Sequence, residues 1–143
     1  MEIERKINEN KIIGNIRSLS IDMIKNANNG HAGIALGAAP ILYTLFEHHL
    51  KIDPNDSEYF NRDSFIMSAG HGSALIYATL YLAGYDLSLD DLKDFRKINS
   101  KTLGHPEYKT TPGVYMTTGP LGEGFASALS LKIIIFLAML LKK

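Results

Sequence analysis

The chain contains no cysteine. That excludes disulfides and thiolate chemistry and fits a reducing cytoplasm, the expected location. No sign of charge is in excess: 15 Lys and Arg balance 15 Asp and Glu. No Lys/Arg cluster stands out either, so the basic footprint of a nucleic-acid partner is missing. Long apolar runs are scarce. Ile133 to Leu141 is continuously apolar, but it falls far short of the roughly 20 residues a spanning helix needs. Lys132 blocks its extension backwards, so it reads as a buried helix end and no membrane partner is expected. Met1 to Ile13 alternates charged and apolar residues and lacks the apolar core of a signal peptide. There is no P-loop, no convincing G-x-G-x-x-G, no nucleophile elbow, no purposeful pair of carboxylates and no internal repeat. What remains is a composition of 45% hydrophobic and 21% charged residues over 143 positions, which suits one soluble globular domain.

The chain is organised around Ser68-Ala69-Gly70-His71-Gly72-Ser73. Phe65-Ile66-Met67 before it is a short apolar run that reads as a buried strand, and Ala74 to Ala83 after it reads as a buried helix. The stretch is then a strand-to-helix turn with a histidine between two glycines. Free N–H groups and the positive dipole end at a helix start suit an anion, so a phosphate or diphosphate is the first expectation.

The other elements follow from periodicity and punctuation. Ile12, Ile13, Ile16, Leu19, Met23 and Ala27 recur at helical spacing and predict an amphipathic helix over residues 4–27, closed by Asn28-Asn29-Gly30. Gly30 to Gly37 reads as a loop. Pro40 is placed as the first residue of a second helix, whose buried face is Ile41, Leu42, Leu45 and Phe46. Asp53-Pro54-Asn55-Asp56 is a turn. Ser88 with Asp91 forms a capping box that opens a surface helix over residues 88–98. Asn99 to Gly119 is rich in turn formers, and a loop of that length in a compact domain is usually functional or disordered. Gly122-Glu123-Gly124 opens a last helix.

Three histidines lie in glycine-flanked loops: His31, His71 and His105. His48 and His49 fall within a predicted helix instead. A single loop histidine is more often solvated or structural than catalytic. Three in similar settings point to a shared site, where they either ligate a metal or donate hydrogen bonds to a polyol or phosphate. No pair has the spacing of a zinc site, and no metal ligands are assigned. Gly119-Pro120-Leu121-Gly122-Glu123-Gly124 is a glycine-rich turn before a helix, weak evidence taken alone.

In order, Asn29-Gly30-His31-x-Gly33, Phe60-Asn61-Arg62-Asp63, Ser68 to Ser73, Leu82-Ala83-Gly84-Tyr85, Gly104-His105-Pro106-Glu107 and Thr117-Thr118-Gly119-Pro120-Leu121-Gly122-x-Gly124 resemble the N-terminal part of a transketolase. The resemblance runs from about residue 11 to about residue 130, and six motifs in the right order and spacing make it specific. It implies an α/β fold: part of a Rossmann-like, three-layer α/β/α thiamine-diphosphate-binding domain, mostly helical here with few strands. It implies the pentose-phosphate-pathway transfer of a two-carbon ketol unit from a ketose phosphate to an aldose phosphate. The cofactors it implies are thiamine diphosphate and Mg2+. By resemblance His71 contacts the cofactor near its diphosphate, and Gly119, Pro120 and Leu121 line it through backbone groups. His31 and His105 take the catalytic positions facing the reacting end of the sugar.

Two departures qualify this. The family's Gly-His-Pro-Gly is here Gly30-His31-Ala32-Gly33, which loosens the backbone after His31. From residue 131 the sequence diverges into an apolar tail, and the family's magnesium-binding Gly-Asp-Gly and asparagine are not found. The tail reads as sequence after a frameshift or premature stop, which makes residues 1–143 an incomplete N-terminal part of the domain. The expected partners are sugar phosphates together with the remainder of the enzyme or a second subunit, and the chain alone is expected to be inactive and marginally stable. Two alternatives stay open: a non-catalytic remnant, and a small histidine-lined module that binds sugar phosphate or metal.

Overall fold

The structure, a computed structural model, describes the backbone of residues 2–141 and the side chains of residues 3–135. The first helix, α1, spans Glu2–Ala27, as its apolar spacing predicts. It ends as predicted too. Asn28 takes a left-handed φ of 48°. Its N–H donates to Lys25 O, and the Asn29 N–H reaches back to Ile24 O at 3.2 Å. These two bonds make a Schellman closure that satisfies the last carbonyls.

The second helix departs from expectation. α2 spans Ala32–His48 with Pro40 in its interior, so the Gly30–Gly37 loop is helical from Ala32 onward. Small residues explain this. Ala35 and Ala39 are fully buried and let α2 pack closely on α1 and α3. That tertiary contact outweighs the low helix propensity of Gly33 and Gly37. An internal proline leaves the carbonyl four residues back without a donor. That carbonyl is Leu36 O, and the Arg17 Nε of α1 donates to it at 2.9 Å. The buried stripe runs through Ala35, Ala39, Leu42 and Tyr43, with Phe46 packed against the core. Ile41, expected on that stripe, points to solvent at 59% exposure.

A 3-10 turn at Gly70–Gly72 leads into α3, Ser73–Leu82, buried from Ser73 through Leu80. α1, α2 and α3 pack against one another around Ile16, Met23, Ala39, Leu42, Leu75 and Tyr77. The predicted strand at Phe65–Met67 does not form. The segment is irregular and half-buried, and there is no strand anywhere among the described residues to pair with it. Phe65 instead packs edge-on against Phe46. The helix predicted over residues 88–98 is also shorter. α4 covers only Leu89–Lys93, opened by the predicted Ser88–Asp91 capping box. It stops because Arg96 turns left-handed at φ 66° and gives its N–H to Thr102 O.

α5 spans Glu123–Leu141. The side chains of residues 136–143 lie outside the described set. The expectation that Ile133 to Leu141 is buried fails where it can be read: Ile133, Ile134 and Ile135 are 50 to 62% exposed. Beyond its first turn most described side chains of α5 are exposed. No described helix is long and apolar enough to cross a membrane.

Candidate cofactor site

The loops that carry the three histidines meet at the N-terminal side of α3. His31 precedes α2 as its N-cap, with extended backbone and no capping bond from its side chain. Its ring is therefore free, and it lies edge-on to His71 with centroids 5.0 Å apart. Ala32, which stands where the family motif has proline, is the first residue of α2, a position where proline and alanine are both accepted. His71 sits in the 3-10 turn, half-buried, while Gly70 and every residue from Gly72 to Leu80 are buried. Between Gly70 and Leu80 it is the one residue that is not buried.

Backbone contact joins this turn to the glycine-rich segment. A methyl group built on Gly70 would lie 2.8 Å from the Gly119 nitrogen and 2.8 Å from the Thr118 carbonyl group. Only glycine allows that approach. A methyl at Gly119 would in turn sit 3.8 Å from the His105 ring. His31, His71, Gly119 and His105 thus form one continuous row. Pro120 and Leu121 continue from it to the start of α5, and both are exposed, Leu121 at 79%.

Buried hydroxyls hold the row in place. Thr118 Oγ1 donates to Met67 O at 2.8 Å, and the Thr118 N–H donates to Pro106 O. Ser73 Oγ donates to Gly104 O at 2.8 Å, and the Tyr77 hydroxyl donates to His105 O at 3.0 Å. At the far end the Phe125 N–H donates to Ser68 Oγ. A methyl on Gly124 would lie 2.6 Å from Ser68 Cα, so the start of α5 is pressed against the histidine turn. Burial pushes the Tyr77 hydroxyl well above the ordinary phenol range. The Thr111 hydrogen bond, the Glu107 charge (upward) and Arg96 are lesser influences. Tyr77 therefore remains a donor at neutral pH. Ser73 closes the Ser68–Ser73 motif, but nothing in the sequence marks its bond to the Gly104 carbonyl, and Tyr77 carries no signal beyond its i, i+4 spacing from Ser73. Arg96, also unmarked in the sequence, packs its guanidinium beside Gly104 and adds positive charge next to His105.

The donor set suits an anionic, hydroxyl-rich ligand. It offers three imidazoles and the partly exposed backbone of Gly119. These residues fit the diphosphate end of thiamine diphosphate. They do not fit a metal ion: among the described residues no group of three His, Cys, Asp or Glu is arranged to hold one.

Comparison with known proteins agrees with this geometry. Residues 8–139 match the family described as the transketolase, thiamine diphosphate binding domain. The chain is 54% identical to a transketolase of Aquifex aeolicus over 127 residues, covering 89% of this chain and 18% of that one. It is 54% identical to a transketolase of Bacillus subtilis over 125 residues, covering 87% and 19%. Among solved structures it is similar to transketolase from Leishmania mexicana, with a TM-score of 0.84 at 46% identity over 86% of this chain and 18% of that one. It is also similar to a Pichia stipitis transketolase in complex with sedoheptulose-7-phosphate, with a TM-score of 0.80 at 47% identity over 82% and 17%. The chain thus spans under a fifth of the length of these relatives. The helical array is part of an α/β thiamine-diphosphate-binding fold.

Proposed function

The chain belongs to the transketolase family through its thiamine diphosphate binding domain, and from that premise we propose that it supplies one wall of a ketol-transfer site. The reaction is transfer of a two-carbon unit from a ketose phosphate to an aldose phosphate, as in the pentose phosphate pathway, in the assembled enzyme. Bound thiamine diphosphate supplies a nucleophilic thiazolium carbon able to take up such a unit. Within this wall His71 donates to a diphosphate oxygen. Gly119, Pro120 and Leu121 line the cofactor, with Gly119 bringing backbone close to it. His31 and His105 donate to the oxygens at the reacting end of the sugar. Hydrogen bonds of this kind orient the sugar and stabilise charge that develops on its oxygens.

The observation that carries the reading is the backbone contact between Gly70 and Thr118-Gly119. It puts the His71 turn and the His105 loop into one row with no room for any residue but glycine. Magnesium, which usually accompanies a diphosphate, finds no ligand set among the described residues. In the proposal, its ligands and the facing wall come from the remainder of the enzyme or a second subunit.

Calorimetry tests this. Thiamine diphosphate with magnesium is titrated into this chain mixed with the portion of the Bacillus subtilis enzyme beyond the matched segment. Binding is expected in the mixture and is expected to weaken at least tenfold with His71→Ala. Equal affinity with and without His71 would contradict the assignment. Tight binding by the isolated chain would favour a small self-sufficient binding module instead.

A further inference from the structure

The His105 loop is held in an unusual way. Three successive carbonyls, those of Gly104, His105 and Pro106, each accept a hydrogen bond from a different donor: Ser73 Oγ, Tyr77 Oη and the Thr118 N–H. Ser73 and Tyr77 stand one turn apart on one face of α3, the helix that begins directly after the His71 turn. Both residues are fully buried, and the Tyr77 ring is packed edge-on against Phe95. His105 itself remains exposed.

We propose that Ser73 and Tyr77 are positioning residues that fix His105 relative to His71, using α3 as the common ruler. The meaning of this for catalysis rests on the sugar-facing role given to His105 above. A loop residue with its own carbonyl and both neighbouring carbonyls anchored has little freedom left in its backbone, so the direction of its side chain is set. Pro106 removes further freedom by fixing its own φ. The Tyr77 ring alone would fill the core as phenylalanine does. The hydroxyl is the part that reaches the loop, and a hydroxyl is buried at a cost unless it is bonded. Arg96 adds only a long contact to Gly104 O at 3.5 Å.

Thr79 provides the internal control. It is buried on the same helix, but its hydroxyl donates to Leu75 O within α3 and not to the His105 loop. The test uses the full chain labelled at histidine ring carbons, with Tyr77→Phe, Ser73→Ala and Thr79→Val compared by NMR. The His105 ring signal is expected to move by more than its line width and to broaden with Tyr77→Phe and with Ser73→Ala. Thr79→Val is expected to leave it in place. All three variants remove a buried, bonded hydroxyl and are expected to lower the melting temperature, so a merely structural role would not separate them. If Tyr77→Phe loses its helical circular dichroism, Ser73→Ala carries the comparison. An unmoved His105 signal in both loop-anchor variants, or an equal shift with Thr79→Val, would overturn the proposal. Addition of a ketose phosphate and thiamine diphosphate to the assembled enzyme keeps the two claims apart. A His105 that answers to Tyr77→Phe but never to the sugar supports the positioning role and overturns the sugar-facing one.

Discussion

Gly70 is where the site tolerates least change. A side chain there meets the Thr118-Gly119 peptide at 2.8 Å, and backbone cannot step aside as a flexible side-chain tip can. Gly70→Ala is expected to cost about 1–3 kcal/mol, the usual range for forcing extra volume into a packed contact. It should also move the His71 ring away from His31. Gly37 is the contrast. It lies inside α2, and a methyl group added there would meet nothing within 4 Å. Gly37→Ala is therefore expected to stabilise by about 0.5–1 kcal/mol by restricting the unfolded chain. Urea unfolding of the two variants checks both signs. Equal effects would show that the Gly70 contact does not constrain the fold. The motif around Gly70 was legible in the sequence as a glycine-flanked turn leading into a helix. What it approaches was not, because Thr118 and Gly119 lie far along the chain and only folding brings them there.

At the scale of elements, the helices with a clear amphipathic stripe or a strong stop signal were legible. α1 ends where Asn28-Asn29-Gly30 says it does, and the Ser88–Asp91 capping box opens α4. The start of α2 was not legible. Its first turns are alanine and glycine, whose value lies in how closely they let neighbouring helices approach. Its proline sits in the interior, where local rules forbid it. Arg17 resolves the conflict from another helix by donating to Leu36 O. A double-mutant cycle tests this. Arg17→Ala is expected to cost about 1 kcal/mol in the unchanged chain and close to nothing after Pro40→Ala, which gives Leu36 O its own helical donor. Pro40→Ala by itself is expected to raise stability. Additive effects would mean that Arg17 does not serve the broken helical bond. Phe65–Met67 failed as a strand for a related reason. An apolar run becomes a strand only with a neighbour to pair with, and the described residues offer none.

The molecule as a whole has a packed centre and an uncovered side. α1, α2 and α3 enclose a core with Leu75, Tyr77 and Leu80 fully buried. Phe125, Leu129, Ile133, Ile134 and Ile135 on α5 are each at least half exposed. Three histidine-bearing motifs predicted a shared site, and the fold brings their loops together in one row at the surface. The roles of Ser73, Tyr77 and Arg96 emerged only in three dimensions, because each acts on a loop far from it in sequence or through a backbone turn that no local pattern announces. The row's exposure suits the proposed cofactor wall, with His71 at the diphosphate end and His31 and His105 toward the sugar. The most direct measurement follows the histidine ring signals of this chain in the mixture with the rest of the Bacillus subtilis enzyme, as thiamine diphosphate and then a ketose phosphate are added. The cofactor is expected to move His71 first and the sugar then to move His31 and His105, while His48 and His49 stay still. Binding that leaves all three loop histidines unmoved would contradict it.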